Sequence, residues 1–281
     1  FYPRLLESLS EDKGPDIISI RNRWIGKLQN KLAAMPPSVP DTLIQTTKGS
    51  LGEKTIVTTQ TKLTLNADQL DREYLKAVKD DVLVNGKIYG LPLSFDNMVL
   101  YYNKDLLDRA GIAEPPKNWS EFQKAVKKLV KIDKNGKIVQ AGAALGTGNN
   151  VPGSDDLIYL LFEQSGVDFT NKSGRAAFNT TANQSGSEGA IATVMNFYTD
   201  FANPTRDTYT WNESMNNAID DFVNGSLGFF FGYNYHYAQI KARAPQLNFS
   251  ILPMLQVNPE TQVNAANYWV QAVPLKSKKQ N

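Results

Sequence analysis

The chain contains no cysteine and a single histidine, His236. The first absence removes disulfides, thiolate nucleophiles, iron–sulfur clusters and cysteine-ligated zinc. It leaves the compartment open, because a cysteine-free chain is compatible with either side of a membrane. The single histidine rules out a multi-histidine metal site, and a Ser-His-Asp triad could be built only around His236. No apolar run approaches the ~18 residues of a membrane span. The longest clean runs are short, such as Leu157–Phe162. Nor does one sign of charge dominate. The 30 basic and 28 acidic residues leave +2, too little to recruit nucleic acid or an anionic membrane by field alone. The chain starts at Phe1, without Met and without a signal peptide. It stops at Asn281, just after an expected strand, so truncation is expected at both ends.

What is present is ordinary globular material, 41% hydrophobic and 21% charged. At roughly 150 residues per domain, a chain of 281 residues is expected to form about two domains. Asp16–Ile20 reads as a short buried strand, followed by the polar and aromatic loop Arg21–Trp24. Residues 36–55 are rich in Pro, Ser, Thr and Gly and read as loop, with weak strand character over Thr55–Leu65. Asn66–Lys79 has helical spacing. Val82–Pro92 reads as a hairpin, in which Asn85-Gly86 supplies the positive φ angles of a type I′ turn. Met98–Tyr102 follows as a strand, then a short helix, Lys104–Ala110, stopped by Gly111. Ser120 with Gln123 reads as the capping box of the next helix. Further helices are expected over Ser154–Gly166, Ser187–Ala202, Ser214–Asn224 and Tyr235–Ala244. Further strands are expected over Ile138–Leu145, Leu227–Phe231, Asn248–Leu252 and Tyr268–Pro274. This alternation predicts an α/β fold.

Few residues here invite chemistry. Gly146–Asn150 lies between a strand and a helix. Its spacing matches neither a Walker loop nor the dinucleotide fingerprint, so it reads as a βα loop. His236 shows neither a nucleophile nor an orienting acid nearby in sequence, so it reads as a surface histidine at a helix terminus. The pairs Asp155-Asp156 and Asp220-Asp221 fall in helices, where neighbours point ~100° apart. Both pairs read as solvated helix charges. Asp96 lies between the apolar Leu91–Phe95 and the following strand. It is either a hinge residue or a ligand contact. Trp24, Trp211, Tyr233, Tyr235, Tyr237, Tyr268 and Trp269 cluster at expected strand ends and loop starts. Such aromatics suit sugar rings, offering apolar area with a polar handle, or else they plug the core.

Residues 86–112, Gly-Lys-Ile-Tyr-Gly-Leu-Pro-Leu-Ser-Phe-Asp-Asn-Met-Val-Leu-Tyr-Tyr-Asn-Lys-Asp-Leu-Leu-Asp-Arg-Ala-Gly-Ile, resemble the signature stretch of bacterial extracellular solute-binding proteins. These are the substrate receptors of ABC importers, in the group that includes maltose-binding protein. Pro115-Pro116-Lys117-Asn118-Trp119-Ser120-Glu121-Phe122 is similar to the helix start that follows in that family. Gly14–Ile18 and Phe222–Phe229 resemble its early strand and a later one, in the same order. The resemblance implies a two-lobe fold with hinge crossings and the ligand between the lobes. One lobe would be residues 1–95 completed by 268–281, the other 96–267. The family's first strand, its C-terminal helical part and its leader have no counterpart here.

Position by position, the resemblance places Asp96 at an acidic sugar contact and Tyr235 at a stacking aromatic. Arg21–Trp24 falls where the family places polar contacts. Arg23 stands where the maltose branch has an acid, which speaks against maltose and leaves the fold untouched. The implied ligand contacts are Asn22, Arg23, Trp24, Asp96, Asn97, Tyr233, Tyr235, Tyr268 and Trp269. The implied function is a monomeric, non-enzymatic receptor outside the cytoplasm, in the periplasm or at a cell surface with a lipid anchor. It would take a carbohydrate and deliver it to ABC permease subunits, with no cofactor, metal or nucleic acid. Two other readings share the residues: a carbohydrate-active enzyme using Asp96, and an adhesin or signalling receptor reusing the fold.

Overall fold

The computed structural model describes residues 2–11, 13–49, 52–167, 176 and 187–280. The chain divides into two units, Phe1–Phe95 with Asn267–Asn281, and Asp96–Ala266. The first unit begins with α1 (Tyr2–Ser10), β1 (Ile18–Arg21), a 3-10 turn at Asn22–Trp24 and α2 (Ile25–Leu28). Next come β2 (Ser38–Gly49), β3 (Gly52–Leu63), α3 (Ala67–Glu73), α4 (Lys76–Val82), β4 (Leu83–Val84), β5 (Lys87–Ile88) and β6 (Leu91–Pro92).

The β2–β3 ribbon corrects the expectation of a loop over residues 36–55. The two strands pair antiparallel from Ser38–Leu63 to Gly49–Gly52. Thr, Val and Ile suit a pleated backbone. Thr42 and Thr59 share a hydroxyl bond across the ribbon at 3.2 Å, as do Thr46 and Thr55 at 3.1 Å. All of β3 and most of β2 are exposed. No buried face exists, so the sequence carries no alternation that would reveal the pair. A two-stranded ribbon is edge throughout, which is where a residue such as Pro40 is tolerated.

Asn66–Lys79 is two helices, not one. Asn66 caps α3 reciprocally with Gln69, and the backbone is then extended at Tyr74 and Leu75. The break keeps Leu70, Val78 and Val82 inside and leaves Leu75 outside. The β4–β5 hairpin turns through Asn85 at φ 51° and Gly86 at φ 74°, the two positive angles of a type I′ turn.

The second unit holds β7 (Asp96–Asn103), α5 (Lys104–Arg109), α6 (Trp119–Leu129), β8 (Lys131–Ile132), β9 (Ile138–Ala143), α7 (Ser154–Gln164) and α8 (Ser187–Asp200). It continues with α9 (Ala218–Val223), β10 (Leu227–Tyr233), α10 (His236–Arg243) and β11 (Phe249–Pro253). Its sheet runs β11-β7-β10-β9-β8. β10 is antiparallel to β7 and parallel to β9. All seven residues of β10 are buried, the pattern of a strand covered on both faces. Phe229, Phe231 and Tyr233 pack with Phe122, Val126, Leu157 and Tyr198 on one face. Phe230 packs with Tyr101, Phe222, Trp211 and Ile240 on the other. Each fully buried side chain of this kind stabilises the unit by roughly 1.5–3 kcal/mol.

Two expected caps move. The cap of α6 is Asn118, whose side chain accepts the Glu121 amide at 2.9 Å, while Glu121 reaches back to the Lys117 amide at 2.9 Å. Starting there rather than at Ser120 brings Trp119 into the core. The cap of α9 is Asn217, not Ser214. Ser214 is held in the preceding turn, donating through its amide and hydroxyl to Asn212 Oδ1 at 2.9 and 2.6 Å.

The chain returns through β12 (Ala266–Asn267) and β13 (Trp269–Ala272). β13 is the central strand of the first unit's sheet, β1-β13-β6, with Ile20 opposite Val270 and Val270 opposite Pro92. Among the described residues no helix is long and apolar enough to cross a membrane.

Candidate functional site

In the second unit the candidate residues gather where β10 ends and α10 begins. Tyr233 is the last residue of β10, and Tyr235 directly precedes α10. Tyr233 is buried. Its hydroxyl donates to the Asp156 carboxylate, and its carbonyl accepts the Tyr101 hydroxyl at 2.8 Å. Burial pushes the Tyr101 phenol well above its ordinary range. One face of Tyr233 lies along Tyr235, with centroids 6.0 Å apart and planes within 10°. Tyr235 itself is 52% exposed. The turn thus presents one aromatic ring to solvent, backed by a fixed one.

Asp96, at the start of β7, orients that turn. Its Oδ1 accepts the amides of Asn97 at 2.8 Å and Asn234 at 3.0 Å, and its Oδ2 accepts the Tyr235 amide at 3.2 Å. An acid is well placed against the unsatisfied N–H groups of a helix start. Asn97, beside it, is exposed.

His236 is not a surface residue. It is 4% exposed, and its Nδ1 accepts the Tyr233 amide at 2.9 Å. The paired acids also divide. Adjacent helical residues point ~100° apart, so one member of each pair turns inward. Asp156 and Asp221 are buried, the latter accepting from Asn216 Nδ2 at 2.8 Å. Asp155 is exposed and Asp220 pairs with Arg243 at 2.6 Å.

In the first unit a second group forms around Asp81. The Tyr268 hydroxyl and Asn22 Nδ2, the latter at 2.9 Å, both donate to Asp81 Oδ2. The Asn22 amide donates to the Tyr268 carbonyl at 3.1 Å. Tyr268 and Asn22 are both buried, and Asn22 Oδ1 receives no hydrogen bond from the described residues. Burial and the neighbouring Asp81 push the Tyr268 phenol far above its ordinary range. Phe95 stacks on Tyr268 with centroids 5.3 Å apart. Outward from this group, Arg23 is exposed, Trp24 is half-buried with its ring edge-on to Tyr2, and Trp269 is 48% exposed. The Arg21 guanidinium lies 5.9 Å from the Trp269 ring centroid.

Other sequence candidates separate from these groups. Trp211 is fully buried and donates from Nε1 to Asn150 Oδ1 at 3.1 Å. The Gly146–Asn150 loop is fastened by its own side chains. Asn150 Nδ2 donates to the Asn212 and Met215 carbonyls at 2.9 and 3.1 Å, and Tyr198 donates to the Thr147 carbonyl at 2.7 Å. Tyr237 is partly exposed and packs on Phe249. Asp81, which holds Tyr268, was not among the residues singled out from sequence, and Asp156, which holds Tyr233, is buried rather than the solvated helix charge the sequence suggested. The one available signal was an acid directly before an apolar run, Val82–Val84 after Asp81 and Leu157–Phe162 after Asp156.

Known proteins resemble this chain in sequence over part of its length and in fold over all of it. A binding protein of Brucella abortus (strain 2308) is 25% identical over 186 residues, 66% of this chain and 42% of that protein. The arabinooligosaccharide-binding protein of Halalkalibacterium halodurans is 30% identical over 101 residues, 35% of this chain and 20% of that protein. The crystal structure of an ABC transporter solute-binding protein from Thermotoga lettingae, bound with α-D-tagatose, superimposes with a TM-score of 0.69 at 17% identity. That superposition covers 100% of this chain and 63% of the other. The chain therefore spans less than two thirds of the length of these relatives. The fold is the two-lobe α/β fold of such binding proteins. The family described as bacterial extracellular solute-binding protein matches residues 9–281, and the chain belongs to it.

Proposed function

We propose that this chain is the ligand-capturing part of an ABC-importer receptor and that its ligand is a carbohydrate. The observation that carries the reading is Tyr235: a half-exposed ring, backed by Tyr233 and oriented by Asp96 through the turn's own amides. A flat, pre-oriented aromatic face is what the C–H face of a sugar ring needs, and preorganisation lowers the entropic cost of binding. The first unit has aromatic surface of its own in Trp269 and Trp24, and Arg23 and Asn97, each on its own unit, are exposed polar groups suited to sugar hydroxyls. Tyr233 backs the surface of the second unit, and Asn22 and Tyr268 back that of the first. The sugars bound by the Halalkalibacterium and Thermotoga relatives support the same ligand class. Binding is non-covalent, the partners are membrane permease subunits, and the location is outside the cytoplasm.

The test is a thermal-shift and calorimetry panel of arabino-, malto- and manno-oligosaccharides, polyols and sn-glycerol 3-phosphate. A ligand at 100 times its Kd stabilises the native state by about 2.7 kcal/mol. One stacked ring is worth ~1–3 kcal/mol by substitution, a scale borrowed from base–aromatic stacking. Tyr235→Ala is therefore expected to weaken sugar binding about tenfold. No midpoint shift with any sugar overturns the carbohydrate reading. Unchanged affinity in Tyr235→Ala removes Tyr235 from the site.

A further inference from the structure

His236 is the chain's one histidine, and its ring lies against that of Tyr235. Its Nδ1 accepts the Tyr233 amide at 2.9 Å. That amide can only donate, so Nδ1 carries a lone pair and the ring proton is on Nε2. The same Nδ1 lies 3.3 Å from the Tyr233 carbonyl, which already accepts the Tyr101 hydroxyl. The imidazole lies against Tyr235, centroids 4.1 Å apart with planes at 31°, and meets Phe230 edge-on at 5.2 Å. The backbone closes tightly on it as well. A Cβ placed on Gly232 would lie 2.9 Å from Nδ1 and 2.6 Å from Phe230 Cε1. The turn that aims Tyr235 is therefore moulded on a neutral imidazole.

We infer that His236 is a positioning residue for Tyr235, and that protonating it releases the 233–235 turn and withdraws the stacking face. This rests on the reading of Tyr235 as a ligand-stacking ring. A protonated Nδ1 cannot accept the Tyr233 amide. It would turn to the Tyr233 carbonyl, leaving that amide buried without its acceptor, a costly state. A positive charge at the first residue of α10 also opposes the helix dipole.

Among the described residues, the titratable groups shown at His236 are Tyr233 at the end of β10, Tyr235 in the turn and Asp96 from β7. Asp96 is the one carboxylate among them. Burial holds the imidazole below its ordinary 6.5, ahead of the opposing pulls of the Tyr233 backbone and Asp96. The folded value thus lies below the unfolded one. The neutral ring's contribution is complete above about 6.5 and is lost as pH falls through the folded value.

A single histidine makes the titration unambiguous. The full chain would be labelled with ¹³C-histidine and 3-fluorotyrosine, and the Tyr235 resonance assigned by its loss in Tyr235→Phe. The imidazole is expected to titrate below 6.5, with the Tyr235 fluorine signal moving at the same midpoint. In His236→Asn, which keeps an acceptor near the Nδ1 position and cannot be protonated, that movement is expected to vanish. A Tyr235 signal that stays still while the imidazole titrates overturns the proposal. So does a movement that persists in His236→Asn. Should His236→Asn fail to fold, the two midpoints in the unsubstituted chain still decide. Arabinotriose affinity by calorimetry is expected to fall by up to tenfold per pH unit below the midpoint and to stay flat in His236→Asn. Arabinotriose that binds equally at every pH overturns the coupling. Failure of any panel sugar to bind counts against the carbohydrate reading alone, because the fluorine titration needs no ligand.

Discussion

The Asp96 carboxylate receives the backbone amide of Tyr235 at 3.2 Å, from 139 residues further along the chain. An acid at the start of one strand thereby fastens the turn that starts a helix on another part of the sheet. The same carboxylate takes the Asn234 amide at 3.0 Å. Its acceptor oxygens are thus directed at the backbone, and it acts on Tyr235 through the orientation of the turn.

That relationship makes Asp96 a stability residue. A net hydrogen bond is worth roughly 0.5–1.5 kcal/mol, and Asp96 is half-exposed, so the low end applies. Asp96→Ala is expected to destabilise the protein by about 1–2 kcal/mol in urea unfolding. Asp96→Asn, which keeps one acceptor oxygen, is expected to cost less. Equal costs for the two variants would show that the amide contacts contribute little.

The two stacked tyrosines are expected to part company under the same small change. Tyr233→Phe deletes a buried hydroxyl that donates to a buried carboxylate. The loss is expected at about 1–3 kcal/mol, because Asp156 stays buried with one donor fewer. Tyr235→Phe alters a half-exposed ring and is expected to fall within about 0.5 kcal/mol of the unsubstituted protein. Matched unfolding curves of the two variants test this, and equal costs would contradict it.

Local chemistry was legible in the sequence where it is self-contained. Asn85-Gly86 is a type I′ turn whatever surrounds it, and Leu227–Phe231 reads as a buried strand because it is a short, aromatic-rich apolar run that starts just after the turn at Gly225. Of the β2–β3 ribbon only weak strand character over Thr55–Leu65 was legible, since neither face is buried to impose a pattern. At the site, Tyr235 and Asp96 could be singled out, but their relationship could not. A hydrogen bond spanning 139 residues leaves no periodicity. His236 was misplaced for a related reason. Its burial comes from Phe230, Gly232 and Tyr235 closing around it, and a side chain at a helix start looks solvent-facing when read alone.

The four tryptophans are expected to report separately. Trp211 is fully buried, Trp119 is 8% exposed and Trp269 is 48% exposed. Acrylamide is expected to quench mainly Trp269, with a part from half-buried Trp24. Trp269→Phe should therefore remove most of the quenchable emission while leaving the unfolding midpoint nearly unchanged. Trp211→Phe leaves a cavity and strips Asn150 Oδ1 of a donor, and is expected to cost about 2–4 kcal/mol. Unaltered quenching in Trp269→Phe would place that ring away from solvent and away from any ligand.

The β2–β3 ribbon is expected to be dispensable for the stability of the rest. Its β3 residues are all exposed, and Leu43, Ile44, Ile56 and Val57 face solvent. Its base is closed where the Thr64 amide donates to the Pro37 carbonyl at 3.1 Å and the Thr64 hydroxyl donates to the Pro36 carbonyl. Paired strands lie ~4.8 Å apart, so a two-residue turn can join Pro37 to Thr64 in place of residues 38–63. Closing a shorter loop costs less entropy, and none of the described residues of the ribbon's strands is fully buried. The thermal midpoint is expected to move by no more than about 3 °C, against the 2–4 °C per kcal/mol typical of chains this size. Removing two long unpaired edges with apolar side chains is expected to reduce aggregation on heating. A midpoint lowered by 10 °C or more would mean that the ribbon packs against the units in solution.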